Sequence, residues 1–254
     1  MNDVTYEQPL NERVRTLMRL EFLFQQIDQG LAGNDSRDNR NVLIAIIDIL
    51  QTTSRADLKT EIIKELERLN NNLTPLASST DVDHEKLNSV LKDIHTTEQQ
   101  LHELQGLFAQ DLRDNDFINS IKQRCSVPGG TSDFDLPALH CWLQKDSASR
   151  HTELQHWLSQ LDLLRSAVGL IMNLIRESAR STRITAEAGL YQQPLDTNAP
   201  FQLIRVTLPA DADCFAEISG GKHRITIRFL TMATENRPTQ VEQDINFILS
   251  NCVI

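Results

Sequence analysis

Near Ile184 the chain changes its period. Upstream, apolar residues recur every three or four positions, and downstream they alternate with polar ones. A helix returns to the same face after about 3.6 residues and a strand after every second residue, so the two parts cannot share one kind of secondary structure. The transition assigns the chain to the α+β class: an N-terminal helical domain, then a smaller C-terminal antiparallel β-domain.

Residues 11–31 open at Asn11, a candidate N-cap just after Pro9, and place Leu17, Leu20, Phe24, Ile27 and Leu31 on one stripe. A polar loop, GNDSRDN, leads to an apolar helix around VLIAIIDIL. Two longer segments then face each other across TPLASSTDVD. The first carries Leu58, Ile62, Leu66, Leu69, Leu73 and Leu76, and the second Leu87, Val90, Leu91, Ile94, Leu101, Leu104 and Phe108. Their narrow seams predict a long α-hairpin within a helix bundle. Further helices are expected over 114–125, 136–143, 148–160 and 161–181, the last apolar nearly all round from Leu161 to Ile175 and so suited to the domain centre.

Three later stretches, FQLIRVTL (201–208), HRITIRFL (223–230) and EQDINFIL (242–249), alternate and predict strands, with SGGK (219–222) as a hairpin turn. In the middle one, Ile225, Ile227 and Phe229 point one way and Arg224, Thr226 and Arg228 the other. The N-terminal VTYEQ is also strand-like. The expected organisation is a helical domain over 10–181 and a β-domain over 182–254, with residues 1–9 added to its sheet.

The chain has 254 residues, 40% of them hydrophobic, which is enough to bury a sizeable core. Its N-terminus, MNDVTYEQPL, lacks an apolar signal region. The longest apolar run, Ala167 to Ile175, is broken by Asn173 and flanked by Arg165 and Arg176. No membrane span is expected. Cys125, Cys141, Cys214 and Cys252 are widely separated, which fits reduced thiols in the cytoplasm. The formal net charge of −10 opposes binding to nucleic acid or anionic lipid.

The stretch RCSVPGGTSDFDLPALHCW (124–142) concentrates reactive residue types. Phosphate loops join a strand to a helix, whereas helices are expected on both sides here. The simpler expectation is a wide turn in which Asp135 caps the next helix and Pro137 fills its first turn. Cys125, His140 and Cys141 lack paired metal-ligand spacing, and adjacent His140 and Cys141 diverge by about 100° on a helix. Cys141 is expected in the core beside Trp142, and His140 at the surface. A thiol or metal enzyme built on these three residues remains an alternative, and no cofactor is expected.

Local cations suggest a different role. Arg15 and Arg19, four residues apart, project from the same helix side as Phe22 and Gln26 and away from Glu21. Arg113, Lys122 and Arg124 flank the PGG loop, and Arg176, Arg180 and Arg183 are expected in succession near the end of the 161–181 helix. Local basic groups on an acidic chain suit an acidic protein partner.

The segments YEQPLNERVRTLMRLEFLFQQ (6–26), LKTEIIKELER (58–68), KQRCSVPGGTSDFDLPALHCWL (122–143), LIRESA (174–179) and ISGGKHRITIRFL (218–230) resemble, in order, the ZapD proteins of bacterial cell division. The resemblance implies a non-enzymatic homodimer with a helical domain and a β-domain. It implies binding to the C-terminal tail of the tubulin-like protein FtsZ, bundling of FtsZ filaments and support of the Z-ring at midcell. By matching motif, the FtsZ-binding cations would be Arg19, with Arg15 beside it, and His140. A further family arginine has no counterpart, Asp116 standing in its place, and Arg113 is the nearest substitute. Lys122 and Arg124 complete the expected FtsZ-binding set. A dimeric adaptor for another acidic partner would share the same surface.

Overall fold

Short polar side chains open several helices in the computed structural model, which describes residues 3–33, 35–55, 57–80, 82–221, 223–231 and 237–254. Asn11 Oδ1 accepts from the Val14 amide at 2.9 Å, starting α1 (Glu12–Ala32). Asp35 caps α2 (Ser36–Thr52), and α3 spans Leu58–Leu73. Asp83 caps α4 (His84–Glu103), and α5 is the short turn Gln110–Arg113. Asn115 caps α6 (Asp116–Cys125), α7 spans Pro137–Leu143, and Asp146 caps α8 (Ser147–Ser159). Each cap satisfies an amide that has no intrahelical partner, a contribution of about 1 kcal/mol apiece. The last helix, α9, spans Asp162–Glu177.

The chain divides into two units, Thr16–Ile171 and Met1–Arg15 with Met172–Ile254. Within the helical unit, α2 buries Val42, Leu43, Ile46, Ile47, Ile49 and Leu50 and packs against α6, α7 and α8. Full burial of such a side chain stabilises by about 1.5 to 3 kcal/mol, so α2 anchors the helices that frame the 124–142 stretch. The hairpin also forms: α3 lies on α4, with Leu58, Ile62, Leu66 and Leu69 buried on one side and Leu87, Ile94 and Leu101 on the other.

Its ends differ from expectation. Helix α3 stops at Leu73, a 3-10 turn covers Thr74–Ser78, and Leu76 is 41% exposed rather than part of the seam. Pro75 lacks the amide that a continuing helix would need. Helix α4 stops at Glu103, Leu104 turns to extended geometry, and Gly106 takes φ 77°, a left-handed value open to glycine. Phe108 is buried beyond the helix rather than on it.

In the β unit the strands are β1 (Val4–Pro9), β2 (Ala179–Ala186), β3 (Leu190–Pro194), β4 (Phe201–Leu208), β5 (Cys214–Gly220), β6 (Arg224–Thr231) and β7 (Ile245–Val253). They form antiparallel sheets ordered β1-β4-β7-β2 and β3-β6-β5. Ile204, Val206, Phe247 and Leu249 from the first sheet share a core with Ile225, Ile227 and Phe229 from the second. The alternation read in β6 is thus realised, its three apolar residues fully buried. Strand β5 ends at Gly220 and β6 begins at Arg224, and Lys222 of the expected SGGK turn lies outside the described residues.

One helix was expected to reach 181, but it ends at Glu177 and Ala179–Ala186 pairs with β7 instead. The segment ARSTRITA offers β-branched Thr182, Ile184 and Thr185 and a Ser181–Ser250 hydroxyl pair at 2.8 Å, all suited to a ladder. The three arginines therefore form no helical stripe. Arg176 donates to Glu7 at 2.9 Å, with Arg205 on the same carboxylate at 2.8 Å, while Arg180 and Arg183 point to opposite faces of β2.

Candidate interaction surface

The turn between α6 and α7 is built by short-range hydrogen bonds. Val127 N donates to Arg124 O at 3.0 Å, Gly130 N to Val127 O at 2.9 Å, Ser132 N to Gly129 O at 3.0 Å, and Leu136 N to Ser132 O at 2.9 Å. Gly129 takes φ 72°, and a Cβ on Gly130 would stand 2.6 Å from Arg124 O, so both glycines of the PGG segment are required by the path. The Arg40 guanidinium of α2 donates to the Thr131 hydroxyl and holds the turn to the domain core. Behind it, Phe117 and Trp142 each stack on Trp157 with centroids 5.8 and 5.9 Å away and meet each other tilted at 6.0 Å, and Trp142 Nε1 donates to Glu153 at 2.7 Å. Helix α7 is thereby fixed against α6 and α8.

Two expectations about this stretch change. Asp135 does not cap α7: Leu136 holds the cap position with no side-chain hydrogen bond, and Asp135 accepts from the Ser132 hydroxyl at 3.1 Å. Cys141 is exposed rather than packed in the core, because Leu139 and Trp142 occupy the buried face of α7. His140 stands at the surface as expected, with Nδ1 3.0 Å from Asp133. Burial pushes the Cys125 thiol up, away from the thiolate that nucleophilic chemistry uses. Among the described residues no cluster of three or more His, Cys, Asp or Glu is placed to hold a metal ion.

The six candidate cations fall into different environments. On α1, Arg15 and Arg19 share a face with Phe22, which is 57% exposed. Arg15 lies 3.4 Å from Glu12. Arg19 is exposed and, among the described residues, has no ion pair, as is also true of half-buried Lys122 on α6. Arg124 is half exposed and 3.9 Å from Asp135. Lys122 and Arg124 at the end of α6 and His140 on α7 thus flank the turn.

Arg113 is different. Its guanidinium donates to Phe108 O at 2.9 Å, Leu50 O at 2.8 Å and Thr53 Oγ1 at 2.6 Å, tying the end of α2 to α5. Burial lowers its affinity for the proton. Most of its donors are committed inside the fold.

The turn also presents a residue that spacing did not single out. Phe134 is 86% exposed and Val127 46% exposed, both on a path fixed by the hydrogen bonds above. A Phe between two aspartates, outside every periodic stripe and just before Leu136-Pro137, was the available signal. Elsewhere, open clefts of about 370 Å3 beside Arg183, Thr207 and Asn246 and about 410 Å3 beside Gln26, Asp38 and Asn41 are lined by neither cysteine nor histidine. No single helix among the described residues is long and apolar enough to cross a membrane.

The family model described as ZapD, cell division protein, matches residues 18–228. The chain is 38% identical over 253 residues to cell division protein ZapD of Methylococcus capsulatus, covering 100% of this chain and 99% of the relative. It is 36% identical over 250 residues to the protein of the same name from Chromobacterium violaceum, and 37% identical over 250 residues to that from Cupriavidus metallidurans, with 98% of this chain and 99% of the relative covered in each case.

Proposed function

Because the chain belongs to the ZapD family of cell division proteins, we propose that it is a non-enzymatic crosslinker of FtsZ: it binds the C-terminal tail of FtsZ through cations of its helical unit and, as a homodimer, bundles FtsZ filaments at the midcell ring in the cytoplasm. The observation that carries this reading is Arg19, an exposed guanidinium without an ion pair among the described residues, on a chain whose net charge is −10. An acidic tail gains a new partner there without breaking an existing pair. Lys122 and Arg124 on α6 offer further cations, and His140 on α7 an exposed imidazole.

A tail that orders only on binding loses conformational entropy, so each site is weak. Two sites in one dimer convert weak binding into crosslinking, because the second tail of a bundle is met at high local concentration. Exposed charge pairs are screened by salt, and binding should weaken as salt rises.

The test is fluorescence anisotropy of a labelled FtsZ tail peptide with purified protein. Arg19→Glu should weaken binding about tenfold or more. Lys92→Glu, an equal charge change on the exposed face of α4, should change it by less than about twofold. Equal small losses in both variants would show bulk charge and contradict the site.

A further inference from the structure

We propose that the free edge of β2 is a second docking surface, which takes up an extended acidic peptide as an added strand, with carboxylates three residues apart reaching Arg180 and Arg183. This site lies in the β unit and is independent of the tail-binding reading above, so either can fail while the other holds.

Four strands lie at the sheet edges, β1, β2, β3 and β5. An edge strand presents unpaired amides and carbonyls that another chain can pair with, unless it is short, interrupted or covered. Strand β1 runs beside β5, where a Cβ on Gly220 would strike the Leu10 side chain, so these two edges close on each other. Strand β3 has five residues and ends at Pro194, which has no amide to donate. Strand β2 has eight residues and pairs with β7 from Ala179–Cys252 to Ala186–Ile245 without a bulge. Among the described residues, no main-chain hydrogen bond joins residues 179–184 to any strand but β7.

Residues 180–183 are exposed, although alternate members lie on opposite faces of the strand. Arg183 opens on one face, beside the cleft of about 370 Å3 that Thr185, Thr207 and Asn246 also line, and Arg180 opens on the other. The strand itself carries no acid, and the residues opposite its arginines, Asn251 and Ile248, are neutral. Asp3 also lines the cleft, but among the described residues neither Arg180 nor Arg183 has an ion pair. Both guanidinium groups are therefore available to a partner's carboxylates.

The occupant follows from the edge and its charges together. A second copy pairing antiparallel over the free stretch 179–184 would set Arg180 opposite Arg183 twice, and like charges directly opposite destabilise a ladder. Nucleic acid and lipid headgroups have no main chain to continue the ladder, and the net charge of −10 opposes them. An extended peptide does continue it, and its own residues three apart point to opposite faces, as Arg180 and Arg183 do. Carboxylates at that spacing meet both arginines at once.

The probe is a labelled octapeptide of threonine and valine with glutamates at its third and sixth positions, titrated into the full chain by fluorescence anisotropy. Binding should fall about tenfold or more in the Arg180→Glu/Arg183→Glu chain, with an unchanged melting temperature because both side chains are exposed. That chain should in turn bind the same peptide with lysines in place of its glutamates. Prolines in place of the valines keep the charge and remove main-chain donors, and should weaken binding to the parent by as much. The charge-matched Lys64→Glu/Lys92→Glu chain, altered on exposed positions of α3 and α4, should bind the probe like the parent. No binding of the glutamate peptide, or equal binding of the proline peptide, would overturn strand addition. An equal loss in the Lys64→Glu/Lys92→Glu chain would show bulk charge and overturn the arginine assignment. A lower solution mass of the Arg180→Glu/Arg183→Glu chain in sedimentation would show that a second copy occupies the edge, and would overturn the peptide assignment.

Discussion

Arg113 and Arg19 carry the same charge and direct it to different ends. Three acceptors on α2 and the segment before α5 surround the Arg113 guanidinium, whereas Arg19 faces solvent. Truncating Arg113 leaves partly buried carbonyls and a hydroxyl without their donor. Arg113→Ala should therefore lower the unfolding free energy by about 2 to 3 kcal/mol in urea denaturation, while Arg19→Ala should change it by less than about 0.5 kcal/mol. Equal small losses would contradict the structural role of Arg113. The sequence shows both residues as basic groups near other basic groups, and nothing in spacing separates them. That separation depends on the Leu50 and Phe108 carbonyls, main-chain atoms brought close only by the tertiary fold. Phe134 illustrates the same gap: the periodic stripes identify buried residues, and a ring outside every stripe is readable only as unassigned.

Among the elements, the α3–α4 hairpin contains a local conflict. Glu98 on α4 is partly buried, its Oε1 lacks a hydrogen-bond partner among the described residues, and Glu67 on α3 adds like charge. Desolvation first and Glu67 second raise its pKa, with His95 and His102 pulling the other way. A carboxyl whose folded pKa lies above its unfolded value favours proton uptake on folding, so its charged form destabilises above the carboxylate range and the penalty disappears in acid. Glu98→Gln should raise the melting temperature at pH 7 by about 1 to 3 °C and make no difference near pH 3. A lower melting temperature at pH 7 would contradict the conflict. The hairpin itself was legible because Leu and Ile recur at helical spacing on both arms, and β4 and β6 because apolar and polar residues alternate. Strand β2 was not, since Arg180 and Arg183 continue the spacing of Arg176 and only pairing with β7 settles the segment as extended. Strands β3 and β5 escaped because LYQQP and CFAEISG are short and interrupted by Gln, Glu and Gly. Asp135 was misread as a cap because Ser132, three residues earlier, competes for its carboxylate.

For the whole molecule, the class of the fold follows from the change of period and the family from ordered motifs along the chain, and both agree with the structure and the comparisons. Which cations meet a partner, and how many partners one assembly holds, are properties of surface and valency that periodicity does not encode. The crosslinking reading depends on both. The most direct measurement is co-sedimentation of the protein with polymerised FtsZ, side by side with FtsZ lacking its C-terminal tail. The protein should pellet with full-length polymers and thicken them into bundles seen by light scattering, and it should remain in the supernatant with tail-less polymers. Equal pelleting with both polymers, or with neither, would contradict tail-mediated crosslinking.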